Sequence, residues 1–102
     1  MIYHITKDNF KSEVLDSDKP VLLDFWAAWC GPCQMQGKIL EAKEAALEGA
    51  KICKCNVDEN PELAEEFGVQ TIPTLIVFKN GKAVTRVSGV TQEAGLKRML
   101  DL

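Results

Sequence analysis

The pentapeptide Trp29-Cys30-Gly31-Pro32-Cys33 constrains this chain more than any other feature, because it places two thiols three residues apart where an apolar run gives way to a helical pattern. The free N–H groups and partial positive charge of a helix N-terminus stabilise a thiolate relative to a thiol. Pro32 suits the first helical turn, where its missing N–H costs nothing. We therefore predict that Cys30 is a nucleophile and that Cys33, one turn into the helix, lies close enough to form a disulfide with it.

The spacing alone leaves other chemistries open, since a C-x-x-C pair also forms half of a zinc site or a structural disulfide. Zinc normally needs a second pair of ligands, and the remaining candidates are His4, Cys53 and Cys55, which do not show the usual ligand spacing. We therefore predict no metal site and no cofactor. We expect Cys53 and Cys55 to share one face of a strand and to pack as small apolar residues, in preference to a second redox or metal role.

Size and composition predict one domain over residues 1–102, with 46% apolar and 26% charged residues. The net charge of −3 argues against nucleic-acid binding. The longest apolar run is interrupted by Asp24, so we expect no membrane span, and the segment Met1–Asn9 does not resemble a secretory signal. We therefore expect a reducing cytoplasmic environment, where a C-x-x-C pair is more often catalytic than structural.

The hydrophobic pattern predicts an α/β fold with the element order β-α-β-α-β-α-β-β-α. Right-handed crossovers through the first three strands give a parallel core, and a hairpin at Asn80-Gly81 adds antiparallel strands at one side. The result is a central mixed five-stranded sheet flanked by four helices, which cover both faces. The predicted strands are Ile2–Ile5, Val21–Trp26, Lys51–Val57, Pro73–Phe78 and Ala83–Ser88, and the predicted helices are one capped by Thr6, one over Pro32–Glu48, one from Asn60-Pro61 to Gly68, and one capped by Thr91.

The helix that follows the two thiols has a predicted apolar face and an unusual centre. Gly37 and Lys38 occupy its middle, and neither forces a kink as a proline would. We therefore expect one continuous helix over Pro32–Glu48 with at most a mild bend near Gly37. The residues predicted to form its apolar face are Met35, Ile39, Ala42 and Ala46.

Asp24 is a carboxylic acid in the middle of a strand that is otherwise apolar. Burial disfavours the charged form, so we expect its pKa to be raised, which would allow the carboxylate to accept a proton near neutral pH. The alternative is a structural carboxylate that is simply paired with Lys54, which also lies in a predicted strand. Both interpretations are compatible with the sequence.

Five motifs follow one another along the chain: Asp24-Phe25-Trp26-Ala27, Trp29 to Cys33, Asn56-Val57-Asp58, Ile72-Pro73-Thr74, and Phe78-Lys79-Asn80-Gly81 ahead of Gly89. Together they resemble the thioredoxin family over essentially the whole chain. This resemblance implies a thioredoxin fold, reduction of protein disulfides by dithiol exchange, and re-reduction by a thioredoxin reductase. It also leads us to expect a monomer that meets disulfide-containing target proteins.

The resemblance also implies a set of site residues. Asp24 and Lys54 are expected near each other beneath the active site, where they join Cys30 and Cys33 in the catalytic set. Pro73 is expected to be cis and to face the redox pair. The groove for a partner chain is expected to involve Trp29, Gly31, Pro32, Ile72, Pro73 and Gly89.

The chain departs from the family pattern in the active-site helix. Family members often carry a proline midway along this helix, where the present chain has Gly37-Lys38, and Gln36 occupies a position that is often apolar. Two other functions remain open at this stage: a binding module with incidental thiols, and a thiol oxidant or isomerase. Pro32 argues against the oxidant, because oxidases and isomerases that resemble this family commonly carry histidine there.

Overall fold

Five strands form one mixed sheet in the computed structural model, which describes residues 1–102. The strands are β1 (Ile2–His4), β2 (Val21–Trp26), β3 (Lys51–Asn56), β4 (Thr74–Lys79) and β5 (Lys82–Ser88). Their spatial order is β1-β3-β2-β4-β5, with β1 and β2 parallel to β3, and with β4 antiparallel to both β2 and β5. The predicted parallel core with an antiparallel hairpin at one side is therefore confirmed.

Four helices flank the sheet, as expected. They are a short helix of π type (Lys11–Leu15), α1 (Gly31–Lys43), α2 (Pro61–Glu66) and α3 (Glu93–Leu100). None of them combines the length and apolar character needed to span a bilayer.

The two faces of the sheet have different cores, because successive strand residues point to opposite sides. One face carries what we call the aromatic core, which contains Phe25 of β2 and is covered by the π-type helix and α2. The other face carries the aliphatic core, which contains Leu22 of β2 and is covered by α1 and α3. The aromatic core comprises Ile5, Phe10, Val14, Val21, Leu23, Phe25, Cys53, Cys55, Leu63, Ile76 and Phe78, and the aliphatic core comprises Leu22, Leu40, Leu47, Ala50, Ile52, Leu75, Val77, Leu96 and Leu100.

The hairpin between β4 and β5 turns at Asn80 and Gly81, as predicted. Both residues have positive φ, of 52° and 78°. Asparagine and glycine tolerate this conformation, and a two-residue turn of this kind matches the twist of the flanking strands.

The predicted apolar face of α1 was wrong except at Ile39, which is half-buried and packs against the aliphatic core. Met35 is 55% exposed, and Ala42 and Ala46 are also exposed. The disulfide partner Cys33 points inward, and residues three, four and seven positions later share its face of the helix. That face carries Gln36 and Gly37, whose low hydrophobicity concealed it in the sequence. The buried residues of α1 are Cys33, Gln36, Gly37 and Leu40.

The helix passes through Gly37 and Lys38 without interruption, as expected, but it does not remain α-helical to Glu48. Lys43 has φ −106° and ψ 7°, and the segment Glu44–Leu47 continues as a 3₁₀ helix. Tightening of this kind is common at helix C-termini because it supplies partners for the last carbonyl groups.

Two predicted helix caps were also wrong. Thr6 closes a turn through its hydroxyl, which accepts a hydrogen bond from the Asp8 N–H at 3.2 Å, and the helix begins only at Lys11. At the C-terminal end the N-cap residue is Gln92, and the Thr91 hydroxyl donates to the Gly89 carbonyl. Threonine hydroxyls stabilise turns as well as helix caps, so the residue type alone did not decide between them.

Candidate active site

The two cysteines at the end of β2 are joined as a disulfide, with their Cα atoms 5.2 Å apart. Cys30 is the N-cap residue of α1, with an extended backbone, and Pro32 lies in the first turn. The Cys33 N–H donates to the Cys30 Sγ at 3.2 Å. The Cys30 sulfur therefore lies at the positive end of a helix dipole with an N–H group directed at it, which is the environment that favours a thiolate.

The small exposure of the redox pair is concentrated on Cys30. Cys30 is 6% exposed, whereas Cys33 is 1% exposed. Gly31 and Pro32, between them, are both exposed, and a Cβ atom on Gly31 would meet no protein atom within 4 Å. The protein itself therefore leaves the approach to the first sulfur open.

Two loops that are distant in sequence meet the redox pair. The Ile72–Pro73 peptide bond is cis, as the resemblance implied, and the Ile72 carbonyl oxygen lies 3.8 Å from the Cys30 Sγ. The Pro73 carbonyl accepts a hydrogen bond from the Gly89 N–H at 2.8 Å. Gly89 has a φ of 94°, which favours glycine at this position. The structure thus brings Cys30, Ile72, Pro73 and Gly89 together.

Trp29 stands beside the pair as an exposed aromatic surface, 72% accessible to solvent. Its indole N–H donates to a carboxylate oxygen of Asp58 at 2.9 Å. We did not include Asp58 among the site residues at the sequence level. It could have been found, because Asp58 follows β3 as Trp29 follows β2, and the carboxyl ends of neighbouring parallel strands meet at the same edge of a sheet.

Asp24 is fully buried, and neither of its carboxylate oxygens has a hydrogen-bond partner. Loss of solvent on burial raises its pKa from 3.8 to about 7, against a smaller opposing attraction from the charge of Lys54. The expected raised pKa is therefore borne out, and its main cause is desolvation.

Lys54 lies directly opposite Asp24 in the β2–β3 ladder, yet the two do not form an ion pair. Its ammonium group instead lies 4.6 Å from the centre of the Trp26 ring, in a cation–π contact. Trp26 packs in turn against the cluster of Ala27, Cys30 and Cys33. The structure thus does not show the direct pairing with Lys54 that was the structural alternative for Asp24.

Gly37 makes room for the lysine. A Cβ atom at this position of α1 would lie 3.0 Å from the Lys54 Nζ, closer than ordinary packing allows. The sequence drew attention to Gly37 only because no proline stands midway along the helix, and nothing in the sequence indicated which side chain approaches it.

Cys53 and Cys55 lie fully buried in the aromatic core as free thiols. Burial raises the pKa of each to about 12, so both stay protonated at neutral pH. They pack as small apolar residues, as predicted.

A surface cleft of about 880 Å³ lies away from the redox pair. It is lined by Lys19, just before β2, and by Lys51, the first residue of β3, together with Glu41 and Glu48. The redox pair follows the opposite, carboxyl end of β2. Around the redox pair, Trp29, Gly31 and Pro32 are exposed, and an open surface of this kind suits a macromolecular substrate better than an enclosed small molecule.

An α/β sheet that presents a disulfide at the N-terminus of a helix, next to a cis-proline loop, defines a thiol–disulfide oxidoreductase. The thioredoxin family model matches residues 1–102. The chain is 45% identical to a thioredoxin of Chlorobaculum thiosulfatiphilum over 97% of this chain and 93% of the relative. It is 46% identical to thioredoxin 1 of a Nostoc species (95% and 92% covered) and 42% identical to a thioredoxin of Porphyra purpurea (98% and 94%).

The chain therefore belongs to the thioredoxin family. It is a protein-disulfide reductant that acts by dithiol–disulfide exchange.

Proposed function

We propose that residues 1–102 work as a single unit in which Cys30 attacks the target disulfide and Cys33 resolves the intermediate. The observation that carries this assignment is the position of Cys30 at the N-cap of α1, where its sulfur accepts the Cys33 N–H at 3.2 Å. The same geometry holds Cys33 one turn away, within bonding reach of Cys30.

The reaction is two successive sulfur exchanges. The Cys30 thiolate forms a bond to one sulfur of the target disulfide, and the other target sulfur leaves as a thiolate. The Cys33 thiolate then attacks the Cys30 sulfur, and the second target sulfur leaves. Two electrons pass from the cysteine pair to the target, which becomes a dithiol while Cys30 and Cys33 become a disulfide.

Asp24 is the proposed acceptor for the Cys33 proton in the second step. Its pKa of about 7 allows it to take up a proton and return it at neutral pH. Lys54 lowers that pKa through its charge, and its ammonium group lies against the Trp26 ring in the space that Gly37 leaves free. We therefore propose that Lys54 acts through its charge on the Asp24 carboxyl group and does not itself transfer a proton.

The groove proposed for a target polypeptide surrounds Cys30. Trp29 supplies an exposed apolar surface, Gly31 and Pro32 leave the sulfur accessible, and the loops at Ile72-Pro73 and Gly89 close the other side. An extended segment of a target protein fits such a rim of backbone and apolar side chains.

We further propose that a thioredoxin reductase restores the dithiol and that the protein acts as a monomer. The cycle needs a continuous supply of electrons, and the reducing cytoplasmic environment expected from the sequence provides one. Replacing dithiothreitol with a thioredoxin reductase and NADPH in the assay below tests the reductase, and light scattering tests the monomer.

The proposal is tested by reduction of insulin with dithiothreitol, followed as precipitation of the free B chain. We expect the wild-type protein and a Cys53→Ala control to accelerate precipitation, and Cys30→Ser to give only the background rate. A protein that merely binds others through this fold would not accelerate the reaction at all. A redox potential well above that of thiol reductants would instead identify an oxidant or isomerase.

A further inference from the structure

Gln36 is a primary amide buried completely on the inner face of α1, three residues after Cys33. Burying such a group costs free energy unless its polar atoms find partners. Both do: its Nε2 donates to the Thr91 carbonyl at 3.1 Å, and its Oε1 accepts from the Thr91 N–H at 2.7 Å. One side chain thus bonds both main-chain groups of a single distant residue.

Thr91 lies in the short connection between β5 and α3, the segment 89–92. Gly89, at its start, donates its N–H to the Pro73 carbonyl, and the Thr91 hydroxyl donates to the Gly89 carbonyl at 3.2 Å. The connection is therefore held at one end by the cis-proline loop and at the other by Gln36. Between these two anchors, Val90 presents an apolar side chain that is 36% exposed.

We infer that Gln36 is a positioning residue for the binding of protein substrates. Its side chain fixes the 89–91 loop against α1, so that the target groove is preformed. The inference rests on the proposed function, because it concerns the groove proposed around Cys30. The partner in question is an extended polypeptide segment that carries the disulfide. A small disulfide needs only access to the Cys30 sulfur and makes no use of the loop.

The argument is geometric. Gln36 and Cys33 stand on the same rigid helix, so the paired amide hydrogen bonds set the position of the loop relative to the redox sulfurs. A leucine of similar size would fill the space but would leave the Thr91 N–H and carbonyl without these partners. The loop would then have to be ordered when a protein substrate binds, and that ordering cost appears as weaker binding.

The test compares Gln36→Leu, which removes the amide, with Gln36→Asn, which shortens it by one carbon so that it cannot make both bonds. The matched control is Gln92→Leu, the same substitution in the same connection at an exposed glutamine that makes no cap hydrogen bond. For each variant, KM and kcat are measured with insulin, and the second-order rate is measured with 5,5′-dithiobis(2-nitrobenzoic acid), a small disulfide.

We expect both Gln36 variants to raise KM for insulin about tenfold, with kcat and the rate on the small disulfide within about twofold of wild type. Gln92→Leu should match the wild type. An unchanged KM for insulin in folded Gln36 variants would overturn the inference while leaving the proposed function intact. Equal losses on both disulfides would overturn it as well, because the residue would then support the chemistry or the fold in general.

Amide hydrogen exchange of the wild-type protein gives a second measurement that does not depend on the variants folding. The Thr91 amide lies in a loop, yet we expect it to exchange about as slowly as the buried amides of α1. Exchange at the rate of an exposed loop amide would contradict the inference. Failure of the wild-type protein to reduce insulin would refute the proposed function and this inference together.

Discussion

The junction of β2 with α1 and the middle of β3 each hold two cysteines, and the two regions treat them in opposite ways. The junction pair, Cys30 and Cys33, meets a helix N-terminus and forms a disulfide near the surface. The strand pair, Cys53 and Cys55, is enclosed in the aromatic core, where burial raises each pKa to about 12. Cysteine is therefore a reactive residue in one region and an unreactive residue of the hydrophobic core in the other.

Backbone context therefore decides the chemistry of a thiol in this protein. At the junction, the Cys33 N–H and the helix dipole favour negative charge on the Cys30 sulfur. In β3, desolvation leaves only on the order of 10⁻⁵ of each thiol ionised at pH 7, for a pKa of about 12. The two pairs also differ in their surroundings. The face of the sheet that α1 covers carries a buried carboxylate, Asp24, whereas the aromatic core around the strand pair carries none.

The largest expected effect is in alkylation of the reduced, native protein. With iodoacetamide at pH 7, Cys30 should react on the order of 10⁴ times faster than either member of the strand pair, because ionisation and access both favour it. The reaction is quenched after short times, and peptide mapping by mass spectrometry then gives the order in which the cysteines are labelled. Early modification of Cys53 or Cys55 would contradict their burial as unreactive thiols, and unfolding in urea should abolish the difference in labelling rate.

Much of this contrast could be predicted from the sequence. The strand-to-helix junction, the pairing of the strands and the burial of Cys53, Cys55 and Asp24 all follow from apolar runs and turn residues with strong local preferences. The hairpin at Asn80-Gly81 was recognised for the same reason, since both residues tolerate positive φ.

What could not be predicted depends on how elements are rotated against each other. The inward face of α1 was assigned to Met35 and Ala42, because the true face contains Gln36 and Gly37 and is poorly marked by hydrophobicity. The partner of Gln36 is Thr91, 55 residues away, and no local pattern connects them. The contact between Trp29 and Asp58 differs from these two, because the parallel pairing of β2 and β3 made it predictable, although it was overlooked.

The next effect concerns the stability of the fold and the charge of Asp24, which is buried on the face of the sheet that α1 covers. The folded-state pKa of Asp24 is about 7, above its ordinary value of 3.8, so the unfolded chain loses this proton first as pH rises. The charge therefore destabilises the fold progressively between about pH 4 and pH 7, by up to about 4 kcal/mol at pH 8. Asp24→Asn should be more stable than wild type at pH 8 by up to that amount.

Urea unfolding of the oxidised proteins at pH 8 and at pH 3.5 measures this effect. At the lower pH the carboxyl is mostly protonated in both states, so the advantage of Asp24→Asn should nearly vanish. A variant less stable than wild type at pH 8 would show that Asp24 has a stabilising partner and would favour a structural role with Lys54.

The third effect is kinetic. Asp24→Asn should slow release of the target from Cys30 on the order of 10²-fold, because Cys33 loses its proton acceptor, whereas the initial attack should change much less. The wild-type release rate should rise as pH passes through about 7, where Asp24 ionises, and that rise should be absent in the variant. Stopped-flow measurement of Trp fluorescence during both steps separates them. Equal slowing of both steps would remove Asp24 from the resolving reaction.

The smallest expected effect is in the strand pair itself. Cys53→Ala and Cys55→Ala should each lower stability by about 1 kcal/mol, through lost packing in the aromatic core, and should leave insulin reduction unchanged. Chemical denaturation and the insulin assay measure the two quantities on the same samples. Loss of activity in a fully folded variant would mean that the strand pair takes part in the chemistry.

The proposal that Cys30 attacks, Cys33 resolves and the strand pair takes no part is tested most directly by trapping the intermediate with Cys33→Ser. This variant keeps the attacking thiol of Cys30 but lacks the thiol that resolves the mixed disulfide, so it should accumulate that mixed disulfide with a target protein. Peptide mapping should find the target joined to Cys30 alone, and Cys30→Ser should trap nothing. A target joined to Cys53 or Cys55, or trapped equally well by Cys30→Ser, would contradict the account.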